Sequence, residues 1–161
     1  MKLLQVFDIH TPLTSCHEHN ERSKAAQIVE RMLTEGIDVA VTTDAGTPCI
    51  SDPGELLVAQ CAERGIPVTV VPGPSALIAA LAISGLPTGR FTFEGFLSTA
   101  HNSRKEHLSS LVDEKRTMVF YEAPHKLPYT LEDLLNTLGD RPLALCRELT
   151  KKFETVFPTT L

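Results

Sequence analysis

The stretch Ile37-Asp-Val-Ala-Val-Thr-Thr-Asp-Ala-Gly-Thr-Pro-Cys-Ile-Ser-Asp-Pro-Gly54 decides the fold class that the sequence predicts. Its first part, residues 37–43, is rich in β-branched side chains and predicts a short buried strand. Its second part, residues 44–54, contains glycines and prolines and predicts a loop that leaves the strand at its carboxyl end. Such a strand and loop are typical of a βα unit in a parallel sheet.

The segments on both sides of this stretch predict helices. On the amino-terminal side, Glu21–Glu35 carries apolar side chains on one face, with Asn20 as the N-cap and Gly36 just after the last turn. On the carboxyl-terminal side, a second helical stretch ends at Gly65. A strand flanked by helices of this length indicates a βαβ arrangement.

The same order of elements continues after Gly65. Residues 66–71 predict a second strand, and the turn Pro72–Ser75 leads into the apolar helix Ala76–Ser84. Because βαβ crossovers are right-handed, the carboxyl ends of both strands lie along one edge of a mostly parallel sheet. Open α/β sheets bind ligands at that edge, so these two loops are the candidate site.

A domain boundary is expected at Gly85–Arg90, because the composition is more polar after it. We therefore predict domains at residues 1–88 and 89–161. The second domain alternates strands and helices in the order Phe91–Leu97, Ser103–Glu114, Thr117–Tyr121, Lys126–Leu138 and Pro142–Arg147.

Length and composition exclude several classes of protein. The 161 residues are 42% hydrophobic and 22% charged, as in an ordinary globular chain, and no apolar run approaches the ~18 residues of a membrane span. The 15 basic and 20 acidic side chains give a net charge of −5, which excludes a generic binder of polyanions. The first residues do not resemble a signal peptide. Four widely spaced cysteines without a Cys-x-x-Cys pair indicate free thiols and a cytoplasmic chain.

The loop at residues 44–54 allows two interpretations. Gly46 lets a ligand approach the backbone closely, and Asp44 and Asp52 can accept hydrogen bonds from hydroxyl or ammonium groups. A tight turn with an aspartate cap on the following helix would use the same residues. The loop lacks Gly-x-Gly-x-x-Gly and Gly-Lys-Ser/Thr, which disfavours a nicotinamide-dependent oxidoreductase and a P-loop protein.

The run Thr43–Gly54 resembles the signature of the ribosomal RNA small subunit methyltransferase I family, within the tetrapyrrole methylase superfamily. Further matches follow in the family's order over nearly the whole chain. They are His17-Glu-His-Asn-Glu21, Pro72-Gly-Pro-Ser-Ala76, Ser84-Gly-Leu-Pro87, Phe93-Glu-Gly-Phe-Leu97, Phe120-Tyr-Glu-Ala-Pro-His125 and Arg147-Glu-Leu-Thr-Lys151.

The resemblance implies a two-domain α/β fold with a mostly parallel sheet in the first domain and a mixed sheet in the second. It implies that S-adenosylmethionine is the cofactor and lies in the cleft between the domains. The implied reaction is 2′-O-methylation of a cytidine ribose in the 16S ribosomal RNA of the small subunit. The superfamily also implies a homodimer, without a membrane partner.

Carried over residue by residue, the resemblance assigns the cofactor to Asp44, Ala45, Gly46, Thr47, Pro48, Ser75, Ala76 and Tyr121. A ribose hydroxyl is a poor nucleophile, so a base must accept its proton. Glu122 is the first candidate, because it directly follows Tyr121 at a strand end, and Asp44 is the second. Alternatively, Glu122 and His125 satisfy the terminus of the following helix.

The chain departs from the family pattern near both ends. The family's Pro-Thr-Pro-Ile-Gly-Asn-Leu type of segment and its Glu-Asp-Thr-Arg stretch do not occur, and its last strands are missing beyond Leu161. We therefore expect a chain truncated at both ends. The alternative functions are an inactive or unstable fragment of this fold, or a methylase of another small substrate such as a tetrapyrrole.

Two polar clusters remain. His17 and His19, with Cys16 adjacent, suggest a metal site, but without a further ligand we favour structural or substrate-facing histidines and expect no metal. The segment His101–His107 gathers Arg104 and Lys105, and further basic pairs occur at Lys115-Arg116 and Lys151-Lys152. These basic residues either form a solvated helix face or contact RNA phosphates.

Overall fold

The computed structural model describes residues 2–17 and 20–161, and the chain divides into two compact units, Met1–Pro72 and Gly73–Leu161. The elements alternate as expected for the α/β class, which is confirmed. The helices are α1 Lys2–Val6, α2 Glu21–Glu35, α3 Glu55–Glu63, α4 Ala76–Ile83, α5 His101–Ser110 and α6 Leu127–Leu138. The strands are β1 Phe91–Phe96, β2 Thr117–Tyr121, β3 Pro142–Arg147 and β4 Thr155–Thr160. The domain boundary after residue 88 stays a prediction.

In the first unit, α2 packs against α3 through small and branched apolar side chains. Ala25 and Val29 on α2 meet Leu57 and Cys61 on α3, and all four side chains are buried. The predicted bounds of α2 are confirmed, because Gly36 takes a left-handed conformation and ends the helix. The loop at residues 44–54 lies in the connection between these two packed helices.

Asn20 precedes α2 as predicted, but its side chain makes no cap hydrogen bond to the helix. Its Oδ1 instead accepts a hydrogen bond from His17 N at 2.8 Å. Asn20 therefore fixes the chain that enters the helix rather than the helix terminus itself.

The strands predicted at residues 37–43 and 66–71 are wrong, because neither segment belongs to a sheet. The described part of Met1–Pro72 contains no strand, so the parallel sheet expected there is not present. The side chains of β-branched residues favour an extended backbone. A strand also requires a neighbouring strand that pairs with its backbone N–H and C=O groups. Val70 and Val71 are 72% and 85% exposed, so they are not packed as residues of a sheet strand would be.

The second unit contains two separate two-stranded sheets. β1 pairs with β2 in parallel, with a register shift between Phe93 and Gly95, and β3 pairs with β4 in antiparallel. The predicted bounds of β2 and β3 are confirmed, and α4 and α6 agree with their predictions to within a residue. The helix predicted at Ser103–Glu114 instead spans His101–Ser110, so it begins two residues earlier and ends four residues earlier than predicted.

Leucines on α5 and α6, and leucines that directly follow α5 and β1, form the core of this unit. The buried members are Leu97, Leu108, Leu111, Leu134 and Leu138. Because β1 and β2 are parallel, their carboxyl ends lie at the same edge of the sheet, and α5 and α6 each begin there. Polar residues that follow these strands are thereby brought close together.

Among the described residues, no helix is long and apolar enough to cross a membrane.

Candidate functional site

The loop at residues 44–54 is held in a tightly turned backbone. Four of its residues have positive φ: Gly46 at 83°, Cys49 at 69°, Ser51 at 60° and Gly54 at 131°. Residues other than glycine rarely adopt such angles, so surrounding contacts must hold Cys49 and Ser51 in place. Gly54 is required for close packing, since a Cβ there would lie 2.6 Å from the Cys49 Sγ atom.

A buried carboxylate anchors the end of this loop. The Glu21 side chain comes from the first turn of α2, and the residue is only 9% exposed. Its Oε1 accepts hydrogen bonds from Gly54 N at 2.7 Å and from Leu56 N at 3.1 Å. It therefore satisfies amides at the start of α3, where a negative charge is also favoured by the helix dipole.

Glu21 is the residue whose role the sequence did not predict. It belongs to the motif His17–Glu21, but the amides that it binds lie 33 and 35 residues further along the chain. No local pattern connects positions so far apart. The available signal was that this motif and the Thr43–Gly54 run both match the same family.

The thiols beside this carboxylate are kept protonated. Burial raises the pKa of the Cys16 thiol, and the negative charge of Glu21 raises it further. The pKa of the Cys49 thiol is raised by burial first and then by nearby carboxylates, of which Glu21 contributes most. Because the thiolate is the reactive form of cysteine, neither side chain is suited to act as a nucleophile.

The residues predicted to hold the cofactor in this loop differ in exposure. Asp44, Ala45 and Gly46 are exposed, whereas Thr47 and Pro48 are half-buried. The exposed part has a carboxylate and a glycine backbone open to solvent, and the next two residues are partly covered. The geometry suits a loop that binds through its backbone.

The structure brings three other predicted residues together at the start of α4. The Tyr121 hydroxyl accepts a hydrogen bond from Leu77 N at 2.9 Å, and Ser75 Oγ accepts one from Ile78 N at 3.5 Å. Ala76 lies between these partners as the first residue of the helix. The Tyr121 hydroxyl keeps its own proton for donation to another group.

Two aromatic neighbours fix the ring of Tyr121. Phe93 and Phe96 of β1 make edge-on contacts with it, at centroid distances of 5.0 and 5.5 Å. The parallel pairing of β1 with β2 therefore sets the position of the Tyr121 hydroxyl.

Glu122, the first candidate base, is engaged at both carboxylate oxygens. Its Oε1 accepts a hydrogen bond from Ala123 N at 2.7 Å, and its Oε2 accepts one from the Thr130 hydroxyl at 2.6 Å. Thr130 is 3% exposed on α6, so Glu122 ties the end of β2 to that helix. This contact is structural, but neither partner is a terminal amide of α6 as the alternative expected, because Ala123 precedes the helix and Thr130 contributes its hydroxyl. His125 is exposed.

The metal site considered for His17 and His19 falls partly outside the described residues, because His19 and its neighbour Glu18 are not among them. Within residues 2–17 and 20–161, no group of three or more His, Cys, Asp or Glu side chains could hold a metal ion.

Comparisons with known proteins place the chain in a family. The family model described as tetrapyrrole (corrin/porphyrin) methylases matches residues 2–161. Proteins named ribosomal RNA small subunit methyltransferase I are 51% identical in Xylella fastidiosa, 50% in Pseudomonas aeruginosa and 47% in Vibrio cholerae. These alignments cover 99%, 97% and 96% of this chain, but only 59%, 55% and 54% of the respective relatives. The chain thus spans a little over half the length of these relatives.

The matched regions include the loop at residues 44–54, the start of α4 and the strand that carries Tyr121. The resemblance inferred from the motifs is therefore confirmed over almost the whole sequence. The chain belongs to the tetrapyrrole methylase family.

Proposed function

We propose that the protein transfers a methyl group from S-adenosylmethionine to the 2′ oxygen of a cytidine ribose in 16S ribosomal RNA. The observation that carries this proposal is the likeness, at 47–51% identity, to relatives named ribosomal RNA small subunit methyltransferase I. The choice of donor and of the 2′ oxygen comes from the motifs that the sequence shares with that family.

The loop and the start of α4 have the chemistry that the methyl donor requires. Asp44 offers an exposed carboxylate for hydroxyl or ammonium groups, and the exposed Gly46 has no side chain of its own to keep a ligand from its backbone. Ala76 leaves room for an adenosine, and Tyr121 has a hydroxyl proton to donate. When bound, S-adenosylmethionine supplies an activated methyl group on a sulfonium centre.

The chain's own contribution to the reaction is positioning and proton acceptance. Methyl transfer needs an in-line approach of the ribose oxygen, so residues that fix the donor carry much of the catalysis. Glu122 is proposed to accept the hydroxyl proton, with Asp44 as the second candidate. The RNA substrate is proposed to be in the small ribosomal subunit.

A pair of glycine substitutions tests the binding loop. Gly46 and Gly65 both have positive φ, at 83° and 67°, so valine strains the backbone at either position. Only Gly46 lies in the proposed donor loop, and Gly65 follows α3 with no atom near its missing Cβ. Titration calorimetry with S-adenosylmethionine should show sharply weaker binding for Gly46→Val and near-normal binding for Gly65→Val.

Unchanged affinity in a folded Gly46→Val protein would remove the loop from the donor site. Thermal unfolding of both variants controls for the backbone strain that they share. Methylation of small ribosomal subunits by the unmodified protein tests the activity itself, and mapping the modified nucleotide tests the 2′ oxygen.

A further inference from the structure

A small groove lies between the first turns of α5 and α6, at the carboxyl edge of the β1–β2 sheet. Ser98 and Thr99, which follow β1, line one side, and Lys126 and Tyr129 at the start of α6 line the other. The volume of this α5–α6 groove is ≈ 200 Å³. That is below the roughly 300–1,000 Å³ of pockets that enclose a whole small molecule, so the groove suits one group of a larger ligand.

The floor of the groove holds an arginine in a fixed orientation. Arg104 Nε donates to Asp133 Oδ2 at 2.6 Å, and its Nη2 donates to Thr130 Oγ1 at 2.8 Å. The Arg104 side chain is only 17% exposed, whereas its partner Asp133 is 46% exposed and so opens the groove to solvent. A guanidinium has five N–H donors, and the described residues take two of them, so three remain for a ligand.

A second cation in the groove, unlike Arg104, has no carboxylate partner among the described residues. The exposed Lys126 side chain makes no ion pair or hydrogen bond with any residue that the structure describes. Asp133 pairs directly with Arg104, whereas none of the described carboxylates pairs directly with Lys126. An oxyanion is therefore the ligand that this wall of the groove favours.

An aromatic ring stands open beside this cation. Tyr129 lies three residues after Lys126 on α6, which places both side chains on the same face of the helix. Tyr129 is 71% exposed, so its ring is accessible to a ligand in the groove. An exposed ring next to a cation and two hydroxyl residues is the combination by which proteins bind single-stranded nucleic acid, through a stacked base and a neighbouring phosphate.

The groove is also joined to the candidate base. Thr130 Oγ1 accepts from Arg104 and donates to Glu122 Oε2, so a single hydroxyl separates the groove's arginine from that carboxylate. The groove and the candidate base therefore share one hydrogen-bonded network, although Glu122 does not itself line the groove.

We propose that the α5–α6 groove binds the RNA substrate, with one phosphodiester at Lys126 and Arg104 and the adjacent base stacked on Tyr129. This proposal rests on the proposed function, because it names the surface that holds the same RNA. The proposal also assigns a role to Arg104. The sequence allowed two interpretations of this residue, a solvated helix face or a contact with RNA phosphates.

Binding of a fluorescein-labelled single-stranded RNA oligonucleotide, followed by fluorescence anisotropy at several salt concentrations, tests the proposal in the 161-residue chain. Lys126→Gln should weaken binding and reduce the slope of log K against log salt by about 0.7, the effect of losing one phosphate contact on a single strand. Tyr129→Ala should weaken binding about fivefold or more with the slope unchanged, because stacking does not release counterions. Tyr129→Phe keeps the ring and should restore binding.

The control is Lys24→Gln, which removes the same charge from α2 and should leave affinity and slope unchanged. Normal RNA binding by both Lys126→Gln and Tyr129→Ala would overturn the proposal, as would an unmodified chain that does not bind the RNA. Displacement of RNA by excess inorganic phosphate, together with an inert Tyr129→Ala, would indicate a site for a free anion and would also overturn it. If the variants lose RNA binding but the unmodified protein methylates no subunit, the groove stands and the proposed reaction fails.

Discussion

Glu122 is the single residue on which the proposed reaction most directly depends. The Ala123 amide and the Thr130 hydroxyl each bind one of its oxygens and so fix the orientation of its carboxylate. A carboxylate oxygen has more than one acceptor position, so both contacts leave room for a ribose hydroxyl. Glu122 is therefore able to organise the start of α6 and still receive a proton.

Glu122→Gln should lower the rate of methyl transfer by about 10²–10⁴-fold, the usual contribution of a general base, while the affinity for S-adenosylmethionine is unchanged. Single-turnover methylation of small ribosomal subunits measures the rate, and calorimetry measures the affinity. Glu132→Gln, an exposed change on the same helix, is the control. Near-normal turnover in Glu122→Gln would leave only the structural role that its hydrogen bonds already show.

At the scale of elements, Glu21 connects α2 to the start of α3 and so fixes the end of the proposed donor loop. Glu21→Ala would leave the buried Gly54 amide without its acceptor and should lower the free energy of unfolding by about 1–3 kcal/mol. Glu21→Gln keeps one carbonyl acceptor and should lose less. Urea denaturation measures both, with the exposed Glu63→Gln on α3 as the control. Equal stability of Glu21→Ala and the control would show that the anchor contributes nothing.

The elements that the sequence predicted well are those whose signals are local. A one-sided apolar pattern closed by Gly36 gave the bounds of α2, and a compact apolar run gave β2. The segments 37–43 and 66–71 have the same β-branched character, but a strand depends on a hydrogen-bonded partner elsewhere in the chain. β4 shows the same dependence, since Pro158 disfavours a strand locally while its pairing with Ala144 supplies the partner.

In the candidate site too, local sequence signals predicted some features, whereas features that depend on distant contacts were not predicted. The sequence placed Ser75 at the start of α4 and Tyr121 at the end of β2, and the family resemblance assigned both to the cofactor. Tyr121 binds the Leu77 amide and Ser75 binds the Ile78 amide, so the two residues are brought to the same helix start by a contact across 44 residues that no single motif encodes. The hydroxyl of Thr130, which accepts a hydrogen bond from Arg104 and donates one to Glu122, had no signal at all, because a threonine inside a helix is unremarkable in sequence.

At the scale of the whole molecule, stability in acid depends on carboxylates that the fold holds in their charged form. Glu114, in the connection from α5 to β2, is one of these, because its Oε1 accepts from the backbone amides of Lys115 and Arg116. The Arg116 guanidinium binds both of its oxygens. These hydrogen bonds lower the pKa of Glu114 from 4.5 to about 2, and the bond from the Arg116 side chain has the largest effect.

The same connection ties together distant parts of the second unit. Arg141, which precedes β3, donates to the carbonyl oxygens of Glu114 and Val112, and also to that of Leu138 at the end of α6. Loss of the Glu114 turn would therefore loosen the contact between the end of α5 and the end of α6.

A carboxyl group with a lowered pKa in the folded state stabilises the fold when it is charged. The contribution of Glu114 is therefore complete above pH 4.5 and is lost as the pH falls through about 2. Glu114→Gln should lower the melting temperature at neutral pH, and the difference from the unmodified protein should shrink steadily as the pH falls from 4.5 toward 2. Thermal unfolding followed by circular dichroism across that range measures the difference, with the exposed Glu106→Gln on α5 as the control. A difference that stayed constant over the same range would show that the charge of Glu114, held by Arg116, does not support the fold.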